Sequence, residues 1–556
     1  MSYTTAGVVL FSMDSKLLIV QHPEGHWGFP KGYIEKEDKT SKDAALRELD
    51  EEVGIHPTFL IDFSTLNLTE SYLDKEVVYF IGYTIIDKVN LAEGLISYKW
   101  VKLDELKNMD GFLSKKIVEK LCNCNLNDVF IKKRDFQHVN NSEAETISIS
   151  PSKHAYSRVA PLEFIIDNFK IDKLPNTIDS YYINKIITRV NKFNKLDEVF
   201  YIKEEEISNC WSMINMLPSL VWKVNKVYLP GKPNGCNIGE RPIDLYLNLM
   251  ETFGYKINEN ESGYFIEKGE RNLNKVQLPF PSFTGTSIAI YLAMLTKNQV
   301  EIYNASIEPE IEYLISVAKA YGYDANIDEE KRLIRIGNKI KHLKPKPIVI
   351  PFDRNVLVTR MVSSLVISGD FEWSNENRHY LEELLILLKN CGFSVEFNQH
   401  TFKISANESS ILSEMVIMDC GHFPKICSDW QPLLVVLFSH FSIPFQLTDN
   451  IFENRLQIFE QLKLINNNLK IKKISSKSVV VNYYKTNESI REFYISNDKC
   501  IVLDLLNIRD AAAILIACTQ TNNMFIFNNL IQLFRGYETI EQVFGKTMGT
   551  FTYEKR

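Results

Sequence analysis

The sequence of 556 residues has few cysteines, nine in all. Cys122 and Cys124 form a CxC pair with no second pair at metal-like spacing, so we expect neither a disulfide framework nor a structural zinc site. Long hydrophobic runs are missing too, because the longest, 288–295 and 511–518, fall far short of the ~18 residues of a transmembrane helix. The opening segment MSYTTAGVVLF lacks the basic region of a signal peptide. We therefore expect a soluble, cytoplasmic protein.

The sequence also lacks an excess of positive charge: 63 Lys and Arg stand against 70 Asp and Glu, a formal net charge of −7. This balance attracts neither nucleic acid nor an anionic membrane, so phosphate binding must come from local sites. Hydrophobic residues make up 45% of the chain. At ~150 residues per domain, the length predicts roughly three to four domain-sized units. No pattern in the sequence indicates an oligomeric state.

The order of apolar and polar segments divides the chain into three parts. Short β-rich runs surround one helical segment, KTSKDAALRELDEEVGI, which predicts an α/β domain over 1–122. The following residues turn polar, with NCNLNDVF and NNSEAETISISPSKH, and predict a linker over 123–159. The remainder, 160–556, carries a different and repeated pattern.

That pattern is an amphipathic helix that ends in Gly plus an aromatic residue and is followed by a strand hairpin. The glycines are Gly254, Gly322 and Gly392, separated by 68 and 70 residues. A weaker fourth copy, FEQLKLINNNLKIKKI, has Asn in place of Gly, and both residues tolerate the left-handed conformation that ends a helix. The period is too long for a solenoid. It predicts a βαβ-type module repeated about a pseudo-symmetry axis.

Three carboxylates in the first domain are spaced for one helix face. Glu48, Glu51 and Glu52 lie three and four positions apart. Such like charges repel one another unless a cation neutralises them, and Mg²⁺ binds oxygen ligands of this kind and also holds phosphate oxygens. The alternative is a solvated acidic face without a ligand.

The segment 32–55 resembles the Nudix box, Gly-x5-Glu-x7-Arg-Glu-φ-x-Glu-Glu-x-Gly-φ. The segment departs from the Nudix box in two places. Asp38 stands at the first Glu position, and the loop before the helix has one extra residue. The flanks HWGFPKG, KEVVYFIG and YKWVKLDEL are similar to the diadenosine-polyphosphate-hydrolase branch. The positions that match are Gly32, Arg47, Glu48, Leu49, Glu51, Glu52, Gly54 and Ile55.

The resemblance implies Mg²⁺-dependent hydrolysis of a nucleoside diphosphate linked to another group. Glu48, Glu51 and Glu52 would be the metal ligands, with Glu51 also activating water, while Arg47 would hold the loop. Lys31 is expected to contact phosphate and Tyr79 to stack on a base. The alternatives are a solvent-exposed lysine and a half-buried strand tyrosine.

The repeat region contains polar clusters that combine flexible backbone with charge. The loop LPGKPNGCNIGERPIDL, 229–245, holds Cys236 and Arg241 immediately before a predicted helix, and positive charge near a thiol favours the reactive thiolate. The other clusters are SFTGTS (282–287), NASIEPEI (304–311), PFDR (351–354), FPKICSDWQP (423–432), DNIFENRL (449–456), NIRDAAAILIA (507–517) and FRGYE (534–538).

Together these clusters resemble the enolpyruvyl transferases, specifically the UDP-N-acetylglucosamine 1-carboxyvinyltransferase type, in the family's order from about Ile207 onward. IFENR, RGYE and GCxIGxRPxDL are individually specific. The resemblance implies an α/β fold of two subdomains, each built from three βαβαββ units as an inside-out barrel. It also explains the spacing of the repeated glycines.

The implied reaction moves enolpyruvyl from phosphoenolpyruvate to a sugar hydroxyl through a tetrahedral intermediate and releases phosphate. Cys236 would be the general acid and Asp429 the base. Arg241 and Arg535 would bind the phosphate and carboxylate of phosphoenolpyruvate, because arginine clamps stabilise anions with fixed geometry. The residues matched to supporting or nucleotide-binding positions are Arg455, Arg509, Ser282, Phe283, Gly285, Asp353 and Arg354.

The first subdomain departs from this family. The family's Lys-Asn pair, which contacts phosphoenolpyruvate, has its best candidate at Pro175-Asn176, with Lys173 only nearby. Roughly forty residues, most of one repeat unit, are missing between Asn194 and Glu204. An expected arginine is replaced at about Trp211. We therefore predict a shortened first subdomain.

Two hypotheses follow. The chain is either a bifunctional enzyme that acts on nucleotides or nucleotide sugars at both sites, or an active Nudix hydrolase attached to a ligand-binding module that has lost transferase activity. Retention of an acid and a base, Cys236 and Asp429, favours the first hypothesis, whereas the loss of the Lys position favours the second.

Overall fold

The computed structural model of the chain describes residues 4–12, 16–55, 60–63, 68–72, 75–84, 89–122, 129–133, 149–193, 198–231, 243–340, 347–376, 378–406, 414–452, 454–466, 468–483, 500–520, 524–544 and 551–552. Cys236 and Arg241, which the resemblance places in the catalytic centre, lie outside these ranges. Within them, no helix is long and apolar enough to cross a membrane.

The N-terminal domain is one mixed sheet with helices on both faces. Its strands are β1 (Thr5–Ser12), β2 (Leu17–Gln21), β3 (Trp27–Gly28), β4 (Lys31–Tyr33), β5 (Leu60–Phe63), β6 (Leu68–Tyr72), β7 (Lys75–Thr84) and β8 (Ser97–Val101). Its helices are α1 (Ser41–Val53), α2 (Leu103–Lys107) and α3 (Lys115–Cys122).

Strand β1 lies at the centre of this sheet and pairs in parallel with β7 and antiparallel with β2 and β4. Its side chains alternate between two cores, with Val9 and Phe11 on one face and Val8 and Leu10 on the other. Helix α1, which starts at the capping box of Thr40, buries its apolar side in the second core. Part of the acidic side of α1 faces strand β4, where the backbone N–H of Lys31 donates to Glu52.

The rest of the chain forms five small sheets around buried helices. Its strands are β9 (Val129–Lys133), β10 (Phe200–Tyr201), β11 (Lys226–Pro230), β12 (Lys256–Asn260), β13 (Gly263–Glu267), β14 (Lys275–Gln277), β15 (Val300–Tyr303), β16 (Tyr323–Asp328), β17 (Leu333–Lys339), β18 (Asp370–Ser374), β19 (Ser394–Phe397), β20 (Thr401–Ser405), β21 (Val416–Cys420), β22 (Phe445–Asp449), β23 (Leu469–Lys473), β24 (Ser478–Tyr483), β25 (Cys500–Asp504), β26 (Met524–Asn528) and β27 (Phe551–Thr552).

The α-helices of this region are α4 (Lys153–Val159), α5 (Ile178–Asn191), α6 (Glu204–Asn209), α7 (Leu217–Val224), α8 (Asp244–Thr252), α9 (Phe283–Met294), α10 (Pro309–Ala320), α11 (Arg354–Ile367), α12 (Glu382–Asn390), α13 (Gln431–His440), α14 (Ile458–Ile465), α15 (Ile508–Cys518), α16 (Ile531–Phe534) and α17 (Glu541–Phe544). Short 3₁₀ turns span Ala160–Phe164, Trp211–Met216, Arg378–Leu381, Ser428–Trp430 and Arg455–Gln457.

Three of the five sheets repeat one topology. Their strand orders are β10-β11-β13-β12, β14-β15-β17-β16 and β21-β22-β24-β23, and in each the first two strands are parallel and the others antiparallel. This order is the βαβαββ unit that the sequence predicts. Helices α9, α11 and α15 are buried on nearly all sides, and the guanidinium groups of Arg354 on α11 and Arg509 on α15 are held there by ion pairs.

The repeated glycines end helices as expected. Gly254, Gly322 and Gly392 have φ values of 98°, 92° and 92°, which confirms the left-handed conformation. The fourth copy differs, because the residue that follows helix α14, Asn466, is extended with φ −129°. Asn467 lies outside the described residues.

The predicted linker, 123–159, is wrong for part of its length. Strand β9 pairs with β26 and β27, and helix α4 is buried in the core of the second region. The polar appearance of SPSKHAYSR misled the prediction, since these polar side chains line a site inside the fold. Residues 149–193 contain helices and isolated bridges but no strand, and the shortened first subdomain stays a prediction.

Candidate functional sites

Arg47 joins the acidic helix α1 to the loop before it. Its Nε and Nη2 donate to the carboxylate of Asp38 at 3.2 and 3.0 Å, and Nη2 also donates to the carbonyl oxygen of Tyr33 at 2.9 Å. Nη1 donates to Glu48 and Glu51 at 2.9 and 2.8 Å. The hydrogen bonds to Asp38 raise the pKa of Arg47. Although Asp38 is shorter than the glutamate of the Nudix pattern, it still reaches Arg47 across the lengthened loop.

Glu48 and Glu52 lie where helix α1 meets strand β4. Burial raises the pKa of Glu48, and it raises the pKa of Glu52 to about 7. An oxygen of Glu52 accepts a hydrogen bond from the backbone N–H of Lys31 at 3.0 Å. A Cβ at Gly32 would lie 2.0 Å from Cδ of Glu48. Only glycine at this position leaves room for the Glu48 carboxylate.

The carboxylates of α1 have the donor chemistry that magnesium requires. Carboxylate oxygens are ligands of Mg²⁺, and a divalent cation would favour the ionised forms of Glu48 and Glu52. In the part of the chain that the structure describes, no group of three or more His, Cys, Asp or Glu side chains is placed to hold a metal ion. Arg47 instead bonds to Glu48 and Glu51 in this conformation.

Lys31 and Tyr79, the two residues of this domain that were predicted to contact substrate, lie in different surroundings. Lys31 is half-buried beside Glu52, and burial together with the charge of Lys31 lowers the pKa of His22. Tyr79 is 1% exposed, and its hydroxyl lies 3.2 Å from Oγ of Ser114. The prediction that Tyr79 stacks on a base is wrong, because the ring is enclosed in the core.

In the second region, several helices begin with a short polar cap beside one site. Ser152 caps α4, Ser282 caps α9, Asp353 caps α11 and Asn507 caps α15, each accepting backbone hydrogen bonds. The first turns of α4, α9 and α15 meet through their side chains, as described below. Helix N-termini carry partial positive charge, so this arrangement suits an anionic ligand.

Lys153, at the start of α4, lies in a buried cluster of charges. Its Nζ is 3.0 Å from Oδ2 of Asp179 and donates to the carbonyl oxygen of Arg535 at 2.8 Å. The Nε of Arg535 is 3.5 Å from the other oxygen of Asp179. Burial alone would raise the pKa of Asp179, but the charges of Lys153 and Arg535 outweigh it and lower the pKa.

Asp429 lies between two buried arginines. One oxygen bonds to Nη2 of Arg455, and the other is 3.3 Å from Nε of Arg509. Burial alone would raise the pKa of Asp429, yet the two guanidinium charges hold it well below its usual range. Nε2 of His154 is 3.7 Å from the same carboxylate. The structure thus brings together Asp429, Arg455 and Arg509, all of which were predicted as site residues.

The residues predicted to contact a nucleotide lie on the first turns of α9 and α11. Oγ of Ser282 accepts from the N–H of Gly285 at 3.0 Å, and the guanidinium of Arg158 stacks on Phe283 at 3.7 Å. Among the described residues, Nε of the buried Arg158 has no hydrogen-bond partner, and burial lowers its pKa. A buried cation of this kind favours a bound anion.

Asp353 and Arg354 both make contacts that stabilise the fold. Oδ1 of Asp353 accepts from two backbone N–H groups at the start of α11. Arg354 is buried and bonds to Glu308 at 2.6 Å and to Glu310 at 2.9 Å. Both residues are already bonded in this way, so their predicted contact with a nucleotide would have to compete with helix capping and a buried ion pair.

Asn176, the predicted partner of phosphoenolpyruvate, is exposed, and its backbone N–H donates to Glu538 at 2.9 Å. The described cysteines offer no substitute for Cys236. Burial raises the pKa of Cys391 and of Cys427 to about 12, and it also raises the pKa values of Cys210, Cys420 and Cys518.

The sequence analysis missed four residues of this site: Lys153, His154, Arg158 and Asp179. The signal was present in SPSKHAYSR, where a Ser cap precedes a short segment with Lys, His and Arg at positions 153, 154 and 158. We had placed this segment in the linker. Lys153 is thus a buried cation of this site, whereas Asn176 is exposed.

Comparisons with known proteins agree with this geometry. Residues 1–121 match the NUDIX domain, and residues 198–490 match EPSP synthase (3-phosphoshikimate 1-carboxyvinyltransferase). A UDP-N-acetylglucosamine 1-carboxyvinyltransferase from Elusimicrobium minutum is 27% identical over 397 residues, covering 71% of this chain and 89% of the relative. Another from Wolbachia sp. subsp. Brugia malayi is 29% identical over 313 residues, covering 56% and 69%.

The enolpyruvyl transferase NikO from Streptomyces tendae has a similar fold, with a TM-score of 0.61 at 12% identity. The alignment covers 77% of this chain and 99% of that structure. Fold and site together define an α/β protein with a Nudix domain and an enolpyruvyl-transferase region of repeated βαβ units. The chain belongs to the EPSP synthase family and carries an N-terminal NUDIX domain.

Proposed function

We propose that the chain is a bifunctional enzyme of nucleotide metabolism. Its C-terminal region transfers enolpyruvyl from phosphoenolpyruvate to a hydroxyl of a nucleotide or nucleotide sugar. Its N-terminal domain hydrolyses a nucleoside diphosphate linked to a second group. One observation carries the transferase assignment: the carboxylate of Asp429 is held by Arg455 and Arg509 and lies near Lys153. The surrounding cations keep the Asp429 carboxylate ionised and provide the positive charge that a highly anionic substrate requires.

The buried cations on both sides of Asp429 would receive phosphoenolpyruvate. Lys153, Arg509 and Arg535 carry charge that matches the phosphate and carboxylate groups, and Arg241 joins them by resemblance. Asp429 takes the proton of the acceptor hydroxyl, whose oxygen then attacks C2. By the same resemblance, Cys236 protonates the methylene carbon to give the tetrahedral intermediate. Its thiolate then takes back a proton from the methyl group as the C–O bond to phosphate breaks, which restores the double bond.

The part of the site that would bind the acceptor favours an anionic molecule. Arg158 is buried without an ion pair in the described part of the chain, and its guanidinium lies flat on Phe283 in the segment matched to nucleotide binding. The phosphate of a nucleotide would provide the missing counter-charge. Ser282 and Gly285 shape the same helix turn, and the relatives named above act on a uridine nucleotide sugar according to their names.

In the Nudix domain, magnesium would polarise the diphosphate and lower the pKa of the attacking water. Glu48, Glu51 and Glu52 would hold it, with Glu51 also receiving the proton of the water. Arg47 keeps the first two carboxylates in place, and Lys31 contacts phosphate.

Phosphate release tests the transferase. Purified wild-type protein and Asp429→Asn receive phosphoenolpyruvate with a panel of uridine and adenine nucleotides and nucleotide sugars. The wild type is expected to release phosphate with at least one acceptor, and Asp429→Asn is expected to release about 100-fold less. The control Asp328→Asn, at the end of strand β16, is expected to match the wild type. Equal phosphate release by wild type and Asp429→Asn would overturn the proposal and favour a ligand-binding module.

A second assay tests the hydrolase. Mg²⁺-dependent cleavage of diadenosine polyphosphates and nucleotide sugars is compared between the wild type and the double variant Glu51→Gln/Glu52→Gln. The double variant is expected to lose cleavage, and Glu37→Gln, in the exposed loop, is expected to retain it. Cleavage that survives the double substitution would contradict the assignment.

A further inference from the structure

His154 presents one ring nitrogen to two groups of the transferase site. Its Nε2 is 3.5 Å from Nη2 of Arg509 and 3.7 Å from Oδ2 of Asp429. The side chains of His154 and Asp429 are 22% and 23% exposed, whereas that of Arg509 is 2% exposed. The histidine and the carboxylate therefore reach the open side of the cluster together.

The two neighbours suit different protonation states of the ring. A neutral Nε2 with a free electron pair can accept a hydrogen bond from Arg509. A protonated Nε2 can instead form an ion pair with Asp429. The same atom thus has a partner both before and after it gains a proton.

Four elements surround the ring, and three of them carry the charges that face it. Lys153 and Arg158 lie on its own helix α4, Asp429 on the 3₁₀ turn, Arg509 on α15, and the ring of Phe283 on α9 packs 6.5 Å away. Burial and Lys153 lower the pKa of His154 well below its usual value, although Asp429 opposes this. The imidazole is therefore neutral, and able to accept a proton, at neutral pH.

Asp429 alone is a poor final acceptor for that proton. Its two arginine neighbours hold its pKa well below the usual range. A base works best when its pKa lies near the working pH, so a proton placed on Asp429 would be lost at once to a better base. The imidazole of His154, whose Nε2 lies 3.7 Å from Oδ2 of Asp429, is within reach of that proton.

We propose that His154 and Asp429 form a proton-transfer pair, in which Asp429 takes the proton of the acceptor hydroxyl and passes it to Nε2 of His154. The O–H bond of the acceptor breaks as its oxygen forms the bond to C2 of phosphoenolpyruvate. The imidazolium then pairs with the restored carboxylate of Asp429. When the C–O bond to phosphate breaks, the departing phosphate takes this proton and leaves as hydrogen phosphate, which returns the ring to its neutral state.

The inference rests on the proposed transferase function, and pH–rate profiles test it. Phosphate release from phosphoenolpyruvate, with UDP-N-acetylglucosamine, UDP-glucose or UMP as acceptor, is measured for the wild type, His154→Asn and the control His400→Asn. His400 lies in an exposed hairpin turn. We expect His154→Asn to lower kcat by about 100-fold while the KM for phosphoenolpyruvate changes by less than about threefold.

The pH dependence separates proton transfer from a structural role. Wild-type kcat is expected to fall on the acid side as His154 becomes protonated, and His154→Asn is expected to lack this limb. A substitution that only disturbed the structure would lower kcat by the same factor at every pH, and the fall of kcat on the acid side would remain. If His154→Asn does not fold, His154→Gln serves in its place. Adding Asp429→Asn to either variant is expected to lower kcat little further, because two residues that transfer the same proton act as a unit.

The outcomes distinguish the two proposals. A wild type that is inert with every acceptor overturns the transferase function, and the proton pair with it. An active wild type whose kcat and acid limb survive His154→Asn leaves the transferase function standing and overturns the pair.

Discussion

Nζ of Lys153 lies 3.0 Å from Oδ2 of Asp179 and donates a second hydrogen bond to the carbonyl oxygen of Arg535. This contact joins the first helix of the second region to the FRGYE segment near its end, 382 positions later in the chain. The ammonium group therefore fixes the position of Arg535 at the same time as it adds its own charge to the site.

The first prediction concerns which lysine serves phosphoenolpyruvate. Lys153→Met removes a buried charge, and a hydrogen bond to a charged group contributes about 1.5 to 3 kcal/mol, so affinity for phosphoenolpyruvate is expected to fall about 10- to 100-fold. Titration calorimetry with phosphoenolpyruvate measures this. The matched variant Lys173→Met, at the exposed lysine beside Asn176, is expected to bind as the wild type does.

Circular dichroism must show that Lys153→Met is folded, since among the described residues Asp179 then keeps only Arg535 as a cationic partner. The opposite pattern, with affinity lost in Lys173→Met and kept in Lys153→Met, would contradict the structure and restore the original sequence expectation.

Much of the fold was predictable because it is repeated. Gly254, Gly322 and Gly392 each end a helix in the left-handed conformation, and this local requirement is visible as a spacing in the sequence. Lys153 and His154 were not found, because their role depends on contacts with Asp179, Asp429 and other distant segments. A short polar stretch that lines a buried site has the composition of a linker.

Tyr79 shows a related limit in the Nudix domain. Strand β7 pairs with the central strand β1 and is buried, so a tyrosine in it packs into the core whichever ligand the domain binds. The pattern of apolar and polar residues along a strand does not show whether both faces of its sheet are covered by other elements. In this sheet helices cover both faces, and the aromatic ring has no access to a nucleotide.

The second prediction tests the buried position of this tyrosine. Tyr79→Phe removes the hydroxyl that lies 3.2 Å from Ser114, and the loss of one hydrogen bond is expected to cost about 1 kcal/mol of unfolding free energy. Urea denaturation measures it. The KM for a nucleotide substrate of the hydrolase is expected to stay within about twofold of the wild type. A large rise in KM with unchanged stability would instead place Tyr79 against the substrate.

The third prediction uses the close contact between Gly32 and Glu48. A methyl group in Gly32→Ala would lie 2.0 Å from Cδ of Glu48, so the carboxylate must move away from strand β4. We expect Mg²⁺-dependent hydrolysis to fall by at least about 10-fold, as for a displaced metal ligand. Raising the Mg²⁺ concentration is expected to recover part of the rate.

Gly28→Ala provides the control, because the nearest atom to its added Cβ, Nε2 of His22, is 3.9 Å away. Normal hydrolysis by Gly32→Ala would show that Glu48 does not need its present position, and would remove it from the set of proposed metal ligands.

The fourth prediction concerns stability and pH at Asp429. Its folded-state pKa lies below the value of about 3.9 for an unfolded chain, so the ionised group stabilises the fold at neutral pH, and this contribution is lost as the pH falls below about 4. Asp429→Asn leaves Arg455 and Arg509 without their shared counter-charge. It is expected to lower the unfolding free energy at pH 7 by up to about 3 kcal/mol.

Urea denaturation of the wild type and Asp429→Asn at pH 7 and pH 3.5 measures the difference at each pH. The difference in unfolding free energy is expected to narrow at the lower pH, because the carboxylate of Asp429 is then partly protonated in the unfolded wild-type chain while it stays ionised in the fold. A gap that widens on acidification would mean that Asp429 is ionised more readily in the unfolded chain than in the fold, contrary to its position between two guanidinium groups.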